Sequence, residues 1–151
     1  RHPCFVMAVS FQIQNVEFKL RNKQKTVAWI KSVIEHHKKK CGTLNYVFMR
    51  DEDLLKVNQA FLHHNTLTDI ITFDYSEGEM LHGDILISVE RVHENAGKFK
   101  TDFETELQRV MIHGVLHLLG FKDKTKKDAA LMRELEEWCL KKFKKAQQKS
   151  S

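Results

Sequence analysis

Two histidines four residues apart, His113 and His117, lie inside the apolar run Val110-Met111-Ile112-His113-Gly114-Val115-Leu116-His117-Leu118-Leu119. On a helix, side chains at i and i+4 share one face, so both imidazoles point the same way. Gly120 can end that helix, and Asp123 follows three residues later, near enough for a turn to bring its carboxylate back. Two imidazoles and one carboxylate make three ligands. That number leaves a fourth position open to water, the pattern of a catalytic zinc rather than a structural one. The predicted centre is one Zn2+ per chain on His113, His117 and Asp123, with a metal-bound water as its catalytic group.

Each of these residues has an ordinary role to set beside this one. The two imidazoles could be core side chains satisfied by separate neighbours, since a buried unpaired polar group costs about 1–3 kcal/mol. One shared cation satisfies both at once. Asp123 could cap the last helix, but Thr125 and Asp128 form a cap pair of their own, which leaves Asp123 available. His82, beside Gly83 and Asp84, approaches the centre if its strand abuts the central helix. His36, His37, His63 and His64 fall at helix ends and His93 faces solvent in this reading. Gly114 stands where the zinc-protease motif His-Glu-x-x-His has its general base, and a glycine can neither accept nor deliver a proton. It points instead to close approach of another backbone or of substrate.

The elements that must position these groups follow from periodicity. Val9–Ile13 alternates as a first strand. Lys25–Lys39 carries apolar residues at Val27, Ile30, Val33 and Ile34, the spacing of an amphipathic helix. Cys41-Gly42 interrupts, and Leu44–Met49 is a second strand. Asp51 is a good N-cap for a helix through Leu62 that buries Leu54, Leu55, Ala60 and Phe61. Ile70–Phe73 and Asp84–Val89 are the third and fourth strands, and a short helix covers Val89–Gly97. Thr101-Asp102-Phe103-Glu104 matches a capping box that opens the histidine helix, and Gly120 suits the left-handed position that closes it. A last helix runs from Thr125 to Lys145 with Leu131, Leu135, Trp138 and Cys139 inward. The fold class is α+β: a single domain with a small four-stranded mixed sheet, packed with about five helices, one of them a zincin-like metal helix.

Composition narrows the rest. Apolar residues at 42% can fill a core, and no run approaches the roughly 18–20 residues needed to cross a bilayer. Met7 reads as the natural start, so residues 1–6 are an upstream extension and 7–151 the domain. Cys4, Cys41 and Cys139 are isolated, which fits a reducing cytoplasm better than a disulfide scaffold. The net charge of +5 comes from the tail after residue 140, which has five lysines and no acid. Lysines there suit the negative end of a helix dipole, so overall charge does not by itself establish a nucleic-acid partner.

His113-Gly114-Val115-Leu116-His117-Leu118-Leu119-Gly120-Phe121-Lys122-Asp123 resembles the signature His-Gly-x-Leu-His-Leu-x-Gly-Tyr-Asp-His of the YbeY family of metal-dependent endoribonucleases. Asn58-Gln59-Ala60-Phe61 followed by Leu67-Thr68-Asp69-Ile70-Ile71-Thr72-Phe73 is similar to a second family block, Asn-x-x-Tyr-Arg and Pro-Thr-Asp-Val-Leu-Ser-Phe. Gly83-Asp84-Ile85 matches a third. The resemblance implies a small zinc-binding α+β fold and cleavage of single-stranded RNA; whether the metal-bound water or an RNA 2′-hydroxyl attacks is not fixed by these residues. It also implies work in maturing ribosomal RNA, notably the small-subunit 3′ end, and in ribosome quality control, with the ribosome or its small subunit as partner.

The chain departs from the pattern in three places. Asp123 stands where the family has a third histidine, and aspartate is a normal zinc ligand. Leu62 replaces an arginine, so a phosphate would need another cation, for which Arg91, Lys122 and Lys124 are the candidates on charge. Leu67 replaces a proline. Two rival readings remain: a metallohydrolase of peptides or small molecules, disfavoured by Gly114, and a non-catalytic ribosome-associated protein with a structural metal.

Overall fold

The computed structural model describes residues 9–63 and 67–149, with backbone alone for the last three. Residues 1–8, where an upstream extension is expected, and His64 lie outside the described residues. The elements run β1 (Val9–Ile13), α1 (Lys23–His36), β2 (Lys40–Met49), α2 (Asp51–Leu62), β3 (Ile70–Asp74), β4 (Met80–Ser88), α3 (Val89–Lys98), α4 (Phe103–Leu118) and α5 (Lys126–Lys149). The strands form one mixed sheet in the order β1-β2-β4-β3. β1 and β4 both run parallel to β2, and β3 pairs antiparallel with β4. This is the predicted α+β architecture of four strands and five helices.

Strand periodicity divides the interior in two. Leu44, Tyr46 and Phe48 of β2, with Ile85 and Ile87 of β4, face a large core shared with α1, α3, α4 and α5. Val47, Met49 and Leu86 face the other way, into a smaller cluster with Leu54 of α2 and Ile71 of β3. The polar tips within the large core are satisfied. The Tyr46 hydroxyl donates to the Met111 carbonyl at 2.9 Å, and Trp29 Nε1 donates to the Cys139 carbonyl at 2.8 Å. Burial also pushes the free Cys139 thiol up to about 12, so this cysteine is an inert core residue.

Several predicted boundaries move, each for a local reason. α1 stops at His36 rather than Lys39. Lys38 turns left-handed at φ +63°, and Lys39 N–H donates back to the Ile34 carbonyl, which closes the helix early. Cys41-Gly42 does not interrupt; it lies inside β2, where the pairing register with β4 shifts between Cys41 and Leu44. Asp51 is the first residue of α2, not its cap. Its carboxylate accepts instead from Ser88 Oγ at 2.6 Å and Arg91 Nη2 at 2.8 Å. The buried side of α2 is Leu54 and Asn58, while Ala60 is exposed and Phe61 is 67% exposed. Asp102, not Thr101, caps α4, its carboxylate accepting from Thr105 N–H at 2.7 Å. On α5 the inward stripe is Met132, Glu136, Cys139, Leu140 and Phe143, so Leu131 and Trp138 are exposed. Among the described residues, no helix is long and apolar enough to cross a membrane.

Candidate metal centre

α4 is the central helix, and most of its residues from Leu107 to Leu118 are buried. It comes close to the sheet because residue 114 has no side chain. A Cβ there would lie 2.9 Å from Ile85 Cγ2 and 3.1 Å from Ile70 Cδ1. The close approach at this glycine is with two isoleucine side chains of the sheet, rather than with a backbone or a substrate, and His113 and His117 line a cleft beside it. The helix ends in a paired closure: Gly120 N–H donates to the His117 carbonyl and Phe121 N–H to the Leu116 carbonyl. Gly120 adopts φ +103°, a conformation that side chains disfavour. This reversal carries Asp123 back over the end of α4.

The three sequence-predicted donors converge. His113 Nε2 and His117 Nε2 are 2.9 Å apart, and Asp123 Oδ2 is 3.3 Å from each. Donors 2.0–2.1 Å from a tetrahedral zinc are about 3.3 Å from one another, so the spacing and the donor types both fit such an ion. Asp123 is free for this role, since Thr125 Oγ1 takes the Asp128 N–H at 3.0 Å and caps α5. His82 is not brought in. Its Nδ1 accepts the Thr43 N–H at 3.0 Å, and its ring lies against Gly42. Among the described residues the donor cluster is His113, His117 and Asp123.

The donors stand in a cleft of about 600 Å³ between α4 and the β3 edge, whose walls include Asn58, Thr68, Asp69, Thr72 and Lys124. Leu62, at the position of the family arginine, also lines it. Of the three candidate cations, Lys124 is in the cleft wall. Lys122 is exposed on the neighbouring loop. Arg91 pairs with Asp51 at 2.8 Å and with Glu94 at 3.6 Å, and is not among the residues lining the cleft. A groove of about 660 Å³ also runs along the exposed side of α5, but the metal-donor cluster is in the cleft.

Sequence reasoning missed what stands behind His113. Glu136 of α5 is only 4% exposed, and its Oε2 lies 2.5 Å from His113 Nδ1. Its other oxygen accepts from Arg109 Nη1 at 3.1 Å, and Arg109 also pairs with the buried Glu106. Burial alone would lower the Arg109 pKa, but the hydrogen bonds and charges of the two glutamates outweigh it and raise that pKa. An acid at an inward position of α5 was the available signal. It becomes visible only once the stripe is read at 132, 136, 139 and 143.

The family model for endoribonuclease YbeY matches residues 9–144. The chain belongs to the YbeY family. An endoribonuclease YbeY of Flavobacterium psychrophilum is 51% identical over 135 residues, which span 89% of this chain and 96% of that one. The Bacteroides fragilis endoribonuclease YbeY is 42% identical over 134 residues, with the same coverage. The solution structure of TM1509 from Thermotoga maritima superposes with a TM-score of 0.61 at 23% identity, covering 94% of this chain and 93% of that one, so the fold is shared with it. The family fits the donor cluster, because the strings that carry the resemblance form the cleft: the α4 run supplies the donors, and Thr68–Thr72 and Asn58 line the facing wall.

Proposed function

We propose that this chain is a zinc-dependent endoribonuclease that cleaves single-stranded RNA. Its substrate is ribosomal RNA, at the 3′ end of the small-subunit RNA, and it works in ribosome maturation and quality control in the cytoplasm. The observation that carries this reading is the convergence of His113, His117 and Asp123 at zinc-ligand spacing inside a cleft of about 600 Å³. Zinc held there by His113, His117 and Asp123 would supply Lewis acidity to a scissile phosphate oxygen and acidify a bound water. The two imidazoles and the carboxylate hold and orient the ion. Lys124, the cation in the wall, draws the phosphate toward the donors. Thr72, on the facing wall, offers a hydroxyl to sugar or base edges, the contacts by which unpaired RNA is read.

Two observations weigh against the rival readings. A peptidase of the His-Glu-x-x-His type would have to find its general base elsewhere, because position 114 is a glycine packed against Ile85 and Ile70 of the sheet. A closed structural site would need a fourth ligand, and His82 is occupied with Thr43.

The test compares one RNA sequence as a single strand and as a duplex. Cleavage of the single strand, abolished by a chelator and restored by zinc, is the expected result. Cleavage indifferent to the chelator, or none with zinc supplied, would overturn the reading.

A further inference from the structure

The buried acidic network behind His113 is more than packing. Glu106 and Glu136 are 2% and 4% exposed, and they share one guanidinium, that of Arg109. Two carboxyl groups thus share the one guanidinium, and the second of them lies against the imidazole of His113. Burying an unbalanced charge is costly, so an arrangement like this persists where a further positive charge completes it. The bond geometry says where that charge belongs. Glu136 Oε2 lies 2.5 Å from His113 Nδ1 on the protein side of the ring, while Nε2 points to His117 and Asp123. A carboxylate accepting the Nδ1 proton fixes the tautomer whose Nε2 lone pair faces outward and makes that nitrogen a stronger donor.

We infer that Glu136, held by Arg109 and Glu106, is the positioning residue of the metal centre: it sets the His113 tautomer and supplies counter-charge for a divalent cation. Glu136 touches neither substrate nor metal and acts through His113. The inference rests on the proposed metal site and deepens it. It also explains why an acid occupies the inward stripe of α5 between Met132 and Cys139, where an apolar residue would otherwise pack. Through Arg109 the network ties α5 to α4 along the same helix face as His113, one turn toward the N-terminus. The ring of His113 is thereby held between a buried acid and the two other donors.

The experiment measures zinc affinity by chelator competition in wild type, Glu136→Gln and Glu136→Asp, alongside thermal unfolding of each without metal. Glutamine keeps the size and an acceptor oxygen but removes the charge. Its zinc affinity should fall about 10- to 100-fold, the range for losing a ligand-orienting carboxylate. Aspartate keeps the charge on a shorter arm and should recover part of that loss, which a packing role would not produce. Unchanged affinity in Glu136→Gln would overturn the inference, even if that variant unfolds at lower temperature. A second measurement needs no variant. Nitrogen-15 NMR of metal-free wild type at mildly alkaline pH should find the His113 ring proton on Nδ1; a bare Nδ1 with the proton on Nε2 would overturn it. The wild-type zinc curve tests the site itself, and the variant-to-wild-type ratio tests Glu136, so the two readings fail separately.

Discussion

His113 and Asp123 aim at the same point from opposite kinds of support. His113 projects from a buried helix, its side chain is 16% exposed, and Glu136 grips its far nitrogen. Asp123 projects from a connecting loop, is 42% exposed, and is held in place by the turn at Gly120. His117 lies between them, on the last turn of α4 and 30% exposed. The contrast shows how a small fold divides a binding site. In the proposed site the helix half is held by core packing and by Glu136, so less ordering is left for an ion to supply. The loop half is the more exposed, and one of the three departures from the family pattern, Asp123, sits there.

Breaking the helix half should have the largest effect. His117→Ala or His113→Ala is expected to remove stoichiometric zinc and reduce cleavage to background, read by elemental analysis and RNA cleavage on one preparation. Breaking the loop half should do less: Asp123→Ala keeps two imidazole ligands, so zinc binding weakens without vanishing, measured by chelator competition. Asp123→His sharpens the comparison further. Replacing a carboxylate by a neutral imidazole raises the net charge at the centre, makes water there more acidic and moves the pH–rate profile to lower pH. A profile identical to wild type would show that the loop ligand does not tune the chemistry.

The next two predictions concern the supports rather than the ligands. Gly114→Ala places a methyl 2.9 Å from Ile85 Cγ2, so either α4 or the isoleucine side chains must shift. A cost of about 1–3 kcal/mol in denaturant unfolding follows, as for other overpacked cores. Asp102→Ala removes the cap at the far end of α4 and should cost about 1 kcal/mol at neutral pH. The Thr105 N–H holds the Asp102 carboxylate below its ordinary pKa. A depressed carboxylate stabilises the fold above its unfolded-state pKa, and that contribution is lost as pH falls through the lower folded value. The gap between wild type and Asp102→Ala should therefore close in acid.

The two halves also differ in how far they could be read from the chain. His113, His117, Gly120 and Asp123 were legible because everything that joins them is local: an i,i+4 spacing, a helix stop and a three-residue return. Thr125 as the α5 cap was local too, and releasing Asp123 depended on it. The strand and helix sequence was legible from periodicity, and with it the α+β class. Glu136 was not, because its contact with His113 spans 23 residues and its contact with Arg109 spans 27. Only the rotation of α5 decides which residues it turns inward. Leu131 and Trp138 looked apolar enough to be core, yet the helix places Met132 and Glu136 there instead. The roles of Asp51 and His82 were hidden for the same reason, since their partners Arg91 and Thr43 come from other strands and helices.

The central claim is that His113, His117 and Asp123 hold the metal on which cleavage depends. Elemental analysis of wild type and His117→Ala, followed by single-stranded RNA cleavage on the same samples, tests it most directly. Wild type should carry one zinc per chain and lose cleavage with a chelator, and His117→Ala should show neither zinc nor cleavage. A His117→Ala protein that cleaves at the wild-type rate without metal would contradict the account.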